Sequence, residues 1–130
     1  MHLGPPVPLW SVCALLLVMA FKHFVADFVL QTKWIALGKE ARQGWLLPLT
    51  VHVFCHAALT FAVAVAIAPR LWWLAGVDLV VHAVIDRGKS LMGHWGNWGV
   101  EDSAYWWLLG FDQFLHQATN IGLTAALLTL

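Results

Sequence analysis

The chain has 130 residues, 61% hydrophobic and 11% charged, and its seven basic and seven acidic side chains leave no formal net charge. With a mean hydropathy of +0.74, it has too few charges to cover the surface of a soluble domain, so the composition reads as an integral membrane protein. Nucleic acid is excluded as a partner because no basic tract is present to collect phosphates.

Four apolar stretches follow in chain order. The first runs from about Leu9 to Gln31 and the second from Leu46 to Ala68, stopped by Pro69. The third is apolar from Leu71 to Asp86 and continues helically to about Lys89, and the fourth runs from Tyr105 to Leu130. At about 1.5 Å of rise per residue, roughly 20 residues cross a hydrocarbon core of about 30 Å. The expectation is a single all-α domain over residues 1–130, an antiparallel bundle of four transmembrane helices.

Lys33, Lys39 and Arg42 fall between the first two segments, and Arg87 and Lys89 between the last two. By the positive-inside rule both loops are cytoplasmic and both termini face outward, as expected for a multi-pass protein of a bacterial inner membrane. The nine tryptophans agree: Trp10, Trp72 and Trp73 mark the outer interface, and Trp34, Trp45, Trp95, Trp98, Trp106 and Trp107 the inner one. The N-terminal apolar run has no lysine or arginine before it and continues past Ala20, so it reads as a retained helix. Cys13 and Cys55 fall at different depths, which argues against a disulfide.

Every apolar segment carries histidine and aspartate at a four-residue step. These are His23 and Asp27; His52 and His56; Asp78, His82 and Asp86; Asp112 and His116. Side chains at i and i+4 leave one helix face about a turn apart, so each pair can present two ligands to a shared interior. Counted from the cytoplasmic ends, Asp27, His52, His82 and Asp112 lie roughly 6 to 10 Å deep, and His23, His56, Asp78 and His116 roughly 12 to 16 Å deep. Taken singly, such a residue is an interhelical hydrogen-bond partner. Four pairs that all land in the cytoplasmic half point to more.

An ionised group near the bilayer centre costs about 2.5 to 3.5 kcal/mol on the mildest scale. Imidazole and carboxylate ligands from four helices offset that cost by binding one or two divalent ions, for which zinc, manganese and iron are all suitable. The eight residues of the two layers are therefore the expected ligands. Asp86, near the membrane surface, is the expected general base, with Lys89 drawing an anionic head group. Gln31, Gln113, Gln117 and Asn120 are expected to support the ligands by hydrogen bonds, and Lys22 to pair with a buried carboxylate. His94 is placed at the interface and His2 in a solvated terminus.

The stretches "KHFVADFVLQTKW", "HAVIDRGK" and "WWLLGFDQFLHQ" resemble a bacterial and phage family of small membrane proteins catalogued as domain of unknown function 3307. The patterns H-x-x-x-D, H-x-x-x-D-x-x-K and D-Q-x-x-H fall here on His23, Asp27, Gln31, His82, Asp86, Lys89, Asp112, Gln113 and His116. The resemblance implies a membrane topology; mechanism rests on the residues.

A metal in this setting polarises a phosphoryl or acyl oxygen and activates water. With no serine, cysteine or threonine in a nucleophile motif, the expected function is metal-dependent hydrolysis of an amphiphilic or lipid substrate at the cytoplasmic leaflet. Two rivals stand beside it: a haem or di-iron redox protein, and a non-enzymatic accessory subunit of a larger membrane complex. Small-residue faces at Ala57-Ala58 or at Gly122, Ala125 and Ala126 suit a homodimer.

Overall fold

The structure, a computed structural model, describes residues 5–130, so the expectation for His2 lies outside the described residues. All regular elements among them are helical: α1 (Leu9–Phe24), α2 (Lys33–Gly38), α3 (Leu46–Ile67), α4 (Leu74–Gly96) and α5 (Ser103–Thr129).

The ends of these helices follow from local chemistry. α1 does not stop at Phe24; it widens into a π turn over Val25–Val29, closed by the Leu30 amide donating to the Val25 carbonyl at 2.9 Å. Such a turn re-aims the side chains it carries, and it carries Asp27. α2 is absent from the sequence expectation, which left these residues as a charged loop. Thr32 caps it by accepting from the Ile35 amide at 3.3 Å. α3 holds Pro48 in its first turn, where a missing N–H is tolerated. It ends at Ala68, whose φ of −143° and ψ of 78° lie outside the helical region that the residue before a proline disfavours. After a short 3-10 turn at Pro69–Leu71, α4 runs on to Gly96, seven residues beyond Lys89. It therefore absorbs His94, and it stops where Asn97 turns left-handed at φ 49°.

The interior is divided along its length. Leu15 and Met19 of α1, Ala64 of α3, Leu71, Leu74 of α4, and Leu123 and Leu127 of α5 close one end with an apolar plug. Toward the other end buried lysine, histidine, aspartate and threonine lie among a few apolar side chains such as Ile35, Leu49 and Val53. Among the described residues fourteen buried polar or charged side chains stand against thirteen buried apolar ones. Large apolar residues such as Leu17, Phe21, Phe28, Phe54, Val84 and Phe111 lie exposed outside. That is the reverse of the usual soluble arrangement.

Two helical stretches, Leu9–Val29 and Leu46–Ile67, are long and apolar enough to cross a membrane. α4 and α5, of 23 and 27 residues, have the length, but the interior polar residues dilute their apolar character. Cys13 and Cys55 are both free.

α2 packs on α3 through Gly38, where an added Cβ would fall 2.5 Å from Pro48 Cγ and 2.8 Å from Pro48 Cβ. A proline ring cannot swing aside, so Gly38→Ala is expected to lever α2 off α3 and destabilise the fold by about 1–3 kcal/mol. Thermal unfolding in detergent checks this, and an unchanged midpoint contradicts it.

Candidate metal centre

The polar end of the bundle is built from four-residue ladders on α3, α4 and α5, joined by the last turns of α1. α4 presents Asp78, His82, Asp86 and Ser90, and α5 presents Asp112, His116, Asn120 and Thr124, all buried. The spacing keeps each ladder on one helix face.

Asp27 sits at the junction of helices. Its Oδ1 lies 2.8 Å from His56 Nε2 and 3.4 Å from His52 Nε2, and its Oδ2 lies 3.0 Å from His23 Nε2. The π turn leaves the Asp27 carbonyl free, and Gln31 Nε2 donates to it at 3.1 Å. Gln31 thus braces the backbone under Asp27. Gln113 brings its Oε1 to 3.3 Å from His23 Nε2 and donates to Asp112 Oδ2 at 3.1 Å, linking α1 to α5.

His82 has the most informative ring. Its Nδ1 lies 3.2 Å from Asp78 Oδ1, so Nδ1–H donates to the carboxylate and the Nε2 lone pair is left free. That Nε2 is buried with no hydrogen-bond partner. A histidine whose one nitrogen donates to a carboxylate while the other is buried without a partner among polar side chains has the arrangement of a metal ligand. The ring stacks between His56 and His116, with centroids 3.7 and 4.1 Å away.

Two groups of ligating atoms result. His23, Asp27, His56 and His82 each offer one atom, all within 4.8 Å of one another, and Asp86, Asp112 and His116 do the same. Metal–ligand bonds of about 2.0 to 2.2 Å put neighbouring ligand atoms roughly 2.8 to 3.6 Å apart. The 2.8 and 3.0 Å contacts of Asp27 with His56 and His23 fall in that range. In the second group, His116 Nε2 lies 3.0 Å from Asp86 Oδ1 and 3.5 Å from Asp112 Oδ1, which is buried without a hydrogen-bond partner.

Three expectations need correction, and each of the two groups draws on residues of both expected depths. Asp78 belongs to neither ligand group. Its Oδ2 takes Lys22 Nζ at 2.9 Å and Thr60 Oγ1 at 2.5 Å, and its Oδ1 takes His82. His52 stands between the groups, its Nε2 3.1 Å from Lys39 Nζ and 3.3 Å from Asp86 Oδ2. Asp86 is not a surface group: it is buried, and its oxygens are engaged by His116 and Lys39.

Lys39 is the residue that sequence reasoning missed. It follows α2 and reads as a cytoplasmic loop charge, yet its Nζ enters the chamber to 2.9 Å from Asp86 Oδ2. No local signal in "LGKEAR" distinguishes it; only the seating of α2 on α3 brings it in. It also alters the charge balance. Four carboxylates, Asp78, Asp86 and Asp112 buried and Asp27 partly so, now face two ammonium groups, Lys22 and Lys39, leaving a deficit that one divalent ion would balance. Lys89 pairs with Glu40 at 2.5 Å, and His94 Nε2 donates to the Glu40 carbonyl at 2.7 Å. Asn120, expected to support the ligands, is buried with both amide atoms unpartnered.

Fold and site together define a helical protein with a largely buried histidine–aspartate cluster in its interior. The chain belongs to the family described as "Protein of unknown function (DUF3307)", whose model matches residues 13–129. No curated protein and no solved structure matches it.

Proposed function

We propose that this protein is a four-span membrane enzyme, a metal-dependent hydrolase acting on an amphiphilic or lipid substrate at the cytoplasmic leaflet of a bacterial inner membrane. The inverted distribution of apolar and polar residues supports the membrane setting, with α4 and α5 spanning beside α1 and α3. A charged chamber is tolerable there only when it is walled off and neutralised from within.

The observation that carries the metal assignment is the unpartnered Nε2 of His82, on a ring that bonds Asp78 through its other nitrogen and is grouped with the possible ligands His23, Asp27 and His56. A divalent ion on these atoms supplies Lewis-acid polarisation and an activated water. Asp112 is better placed than Asp86 to accept a proton, because its Oδ1 has no hydrogen-bond partner and only a 3.5 Å approach to His116, while both Asp86 oxygens are engaged at 2.9 and 3.0 Å. Lys39, just after α2, holds Asp86.

Elemental analysis of the full chain, purified without chelator, is expected to give one to two divalent ions per chain and no visible absorption band beyond aromatic protein. An ion-free preparation that stays empty after incubation with zinc and manganese would falsify the reading. A Soret band would replace it with haem chemistry.

A further inference from the structure

Two spaces outside the chamber meet at one place. The first is a polar cavity of about 220 Å³ lined by Glu40, Arg42, Lys89, His94, Asn97 and Tyr105, among others. The second is an apolar groove of about 180 Å³ between α4 and α5, lined by Val84, Gly88, Met92, Phe111 and Leu115. Lys89 and Leu108 form walls of both, and Asp112 lines the groove.

We infer that cavity and groove are one site for a lipid with an anionic head group, the head beside Lys89 and Arg42 and one acyl chain along α4 and α5. Charge complementarity selects the head. Within the cavity itself two permanent cations, Arg42 and Lys89, face the single carboxylate of Glu40, and the second carboxylate of the joint site, Asp112, lies in the groove, so positive charge is concentrated at the head end. Arg42 is fixed by its Nη2 donating to the His94 carbonyl at 3.3 Å, and Lys89 by its pair with Glu40. An incoming anion exchanges with Glu40 for Lys89 without creating a buried charge. The apolar groove selects the tail: Val84, Met92 and Phe111 are exposed on the outer surface, so a chain seated there continues into the bilayer.

Asp112 at the groove, one member of the second ligating group, then faces the part of the lipid between head and chain. The inference rests on the hydrolase reading for its catalytic consequence, not for binding. It narrows the substrate class to anionic lipids, with the linkage near the glycerol backbone presented to Asp112.

The test is photo-labelling of the full chain in phosphatidylcholine nanodiscs, using phosphatidylglycerol or phosphatidylcholine that carries a diazirine in one acyl chain. The phosphatidylglycerol probe is expected to label the peptides holding Met92 and Phe111 at least fivefold more than its zwitterionic counterpart. Lys89→Gln and Arg42→Gln should each reduce that labelling by about fivefold. Glu40→Gln, which frees Lys89, should raise it, and so guards against a trivial loss through misfolding. Equal labelling by both probes overturns the proposal, as does labelling displaced by millimolar inorganic phosphate, which would make the occupant a soluble anion. Metal content measured on the same samples separates the two readings: selective labelling of a metal-free chain leaves the lipid site standing and removes only the hydrolase.

Discussion

Asp27→Asn is expected to lower the affinity for the bound ion by more than about 100-fold while leaving the helices in place. The substitution keeps size and shape but removes the charge and half of the acceptor capacity of the one carboxylate that meets three histidines. Its contacts at 2.8, 3.0 and 3.4 Å are to rings from α1 and α3, so no neighbouring acid can take its place without moving a helix. Loss of a partner that merely orients a ligand costs about 10- to 100-fold, and loss of a ligand itself should cost more. Metal titration into the chelator-stripped variant, followed by calorimetry, reads this directly. Wild-type affinity in Asp27→Asn would mean that the carboxylate serves only as a hydrogen-bond hub for His23, His52 and His56, and the metal assignment would lose its centre.

That Asp27 shares a face with His23 was visible in the sequence; why it reaches three rings was not. The step of four between His23 and Asp27 places them on one face, and the same step on the other segments predicts convergence. Lys22 likewise predicts its own pairing, because an ammonium so deep in an apolar stretch needs an anion. The π turn that carries Asp27 depends on how α1 meets its neighbours, and no residue in "VADFV" demands it. Lys39 was hidden for a related reason. Positive charge after an apolar segment reads as topology, and the short α2 that turns it inward is fixed by tertiary contact at Gly38 and Pro48. Asp78 erred in the opposite direction. Its spacing matches the ligands, but Thr60 and Lys22, on two other helices, claim it, and spacing along one helix cannot register a claim made across the bundle.

That claim leads to the second large effect. Lys22 Nζ donates to Thr60 Oγ1 at 2.8 Å and to Asp78 Oδ2 at 2.9 Å, and the Thr60 hydroxyl donates to the same Oδ2, closing a triangle with no water access. The side chains of Lys22 and Asp78 are 2% and 0% exposed, so neither charge can fall back on solvent. Lys22→Met is therefore expected to destabilise the protein by about 3–5 kcal/mol, because it strands a buried carboxylate. Adding Asp78→Leu should recover most of that loss, since replacing both charges with apolar groups is often close to neutral. The double variant nevertheless takes away the acceptor that fixes the His82 tautomer. It should therefore unfold near the wild-type midpoint and still bind metal about 10- to 100-fold more weakly. Unfolding in detergent and metal titration on the same three proteins read the two effects apart. A stable double variant with wild-type affinity would show that Lys22 and Asp78 only hold the bundle together; a stable but weakened one makes Asp78 the positioning residue through which α1 and α3 set the aim of His82.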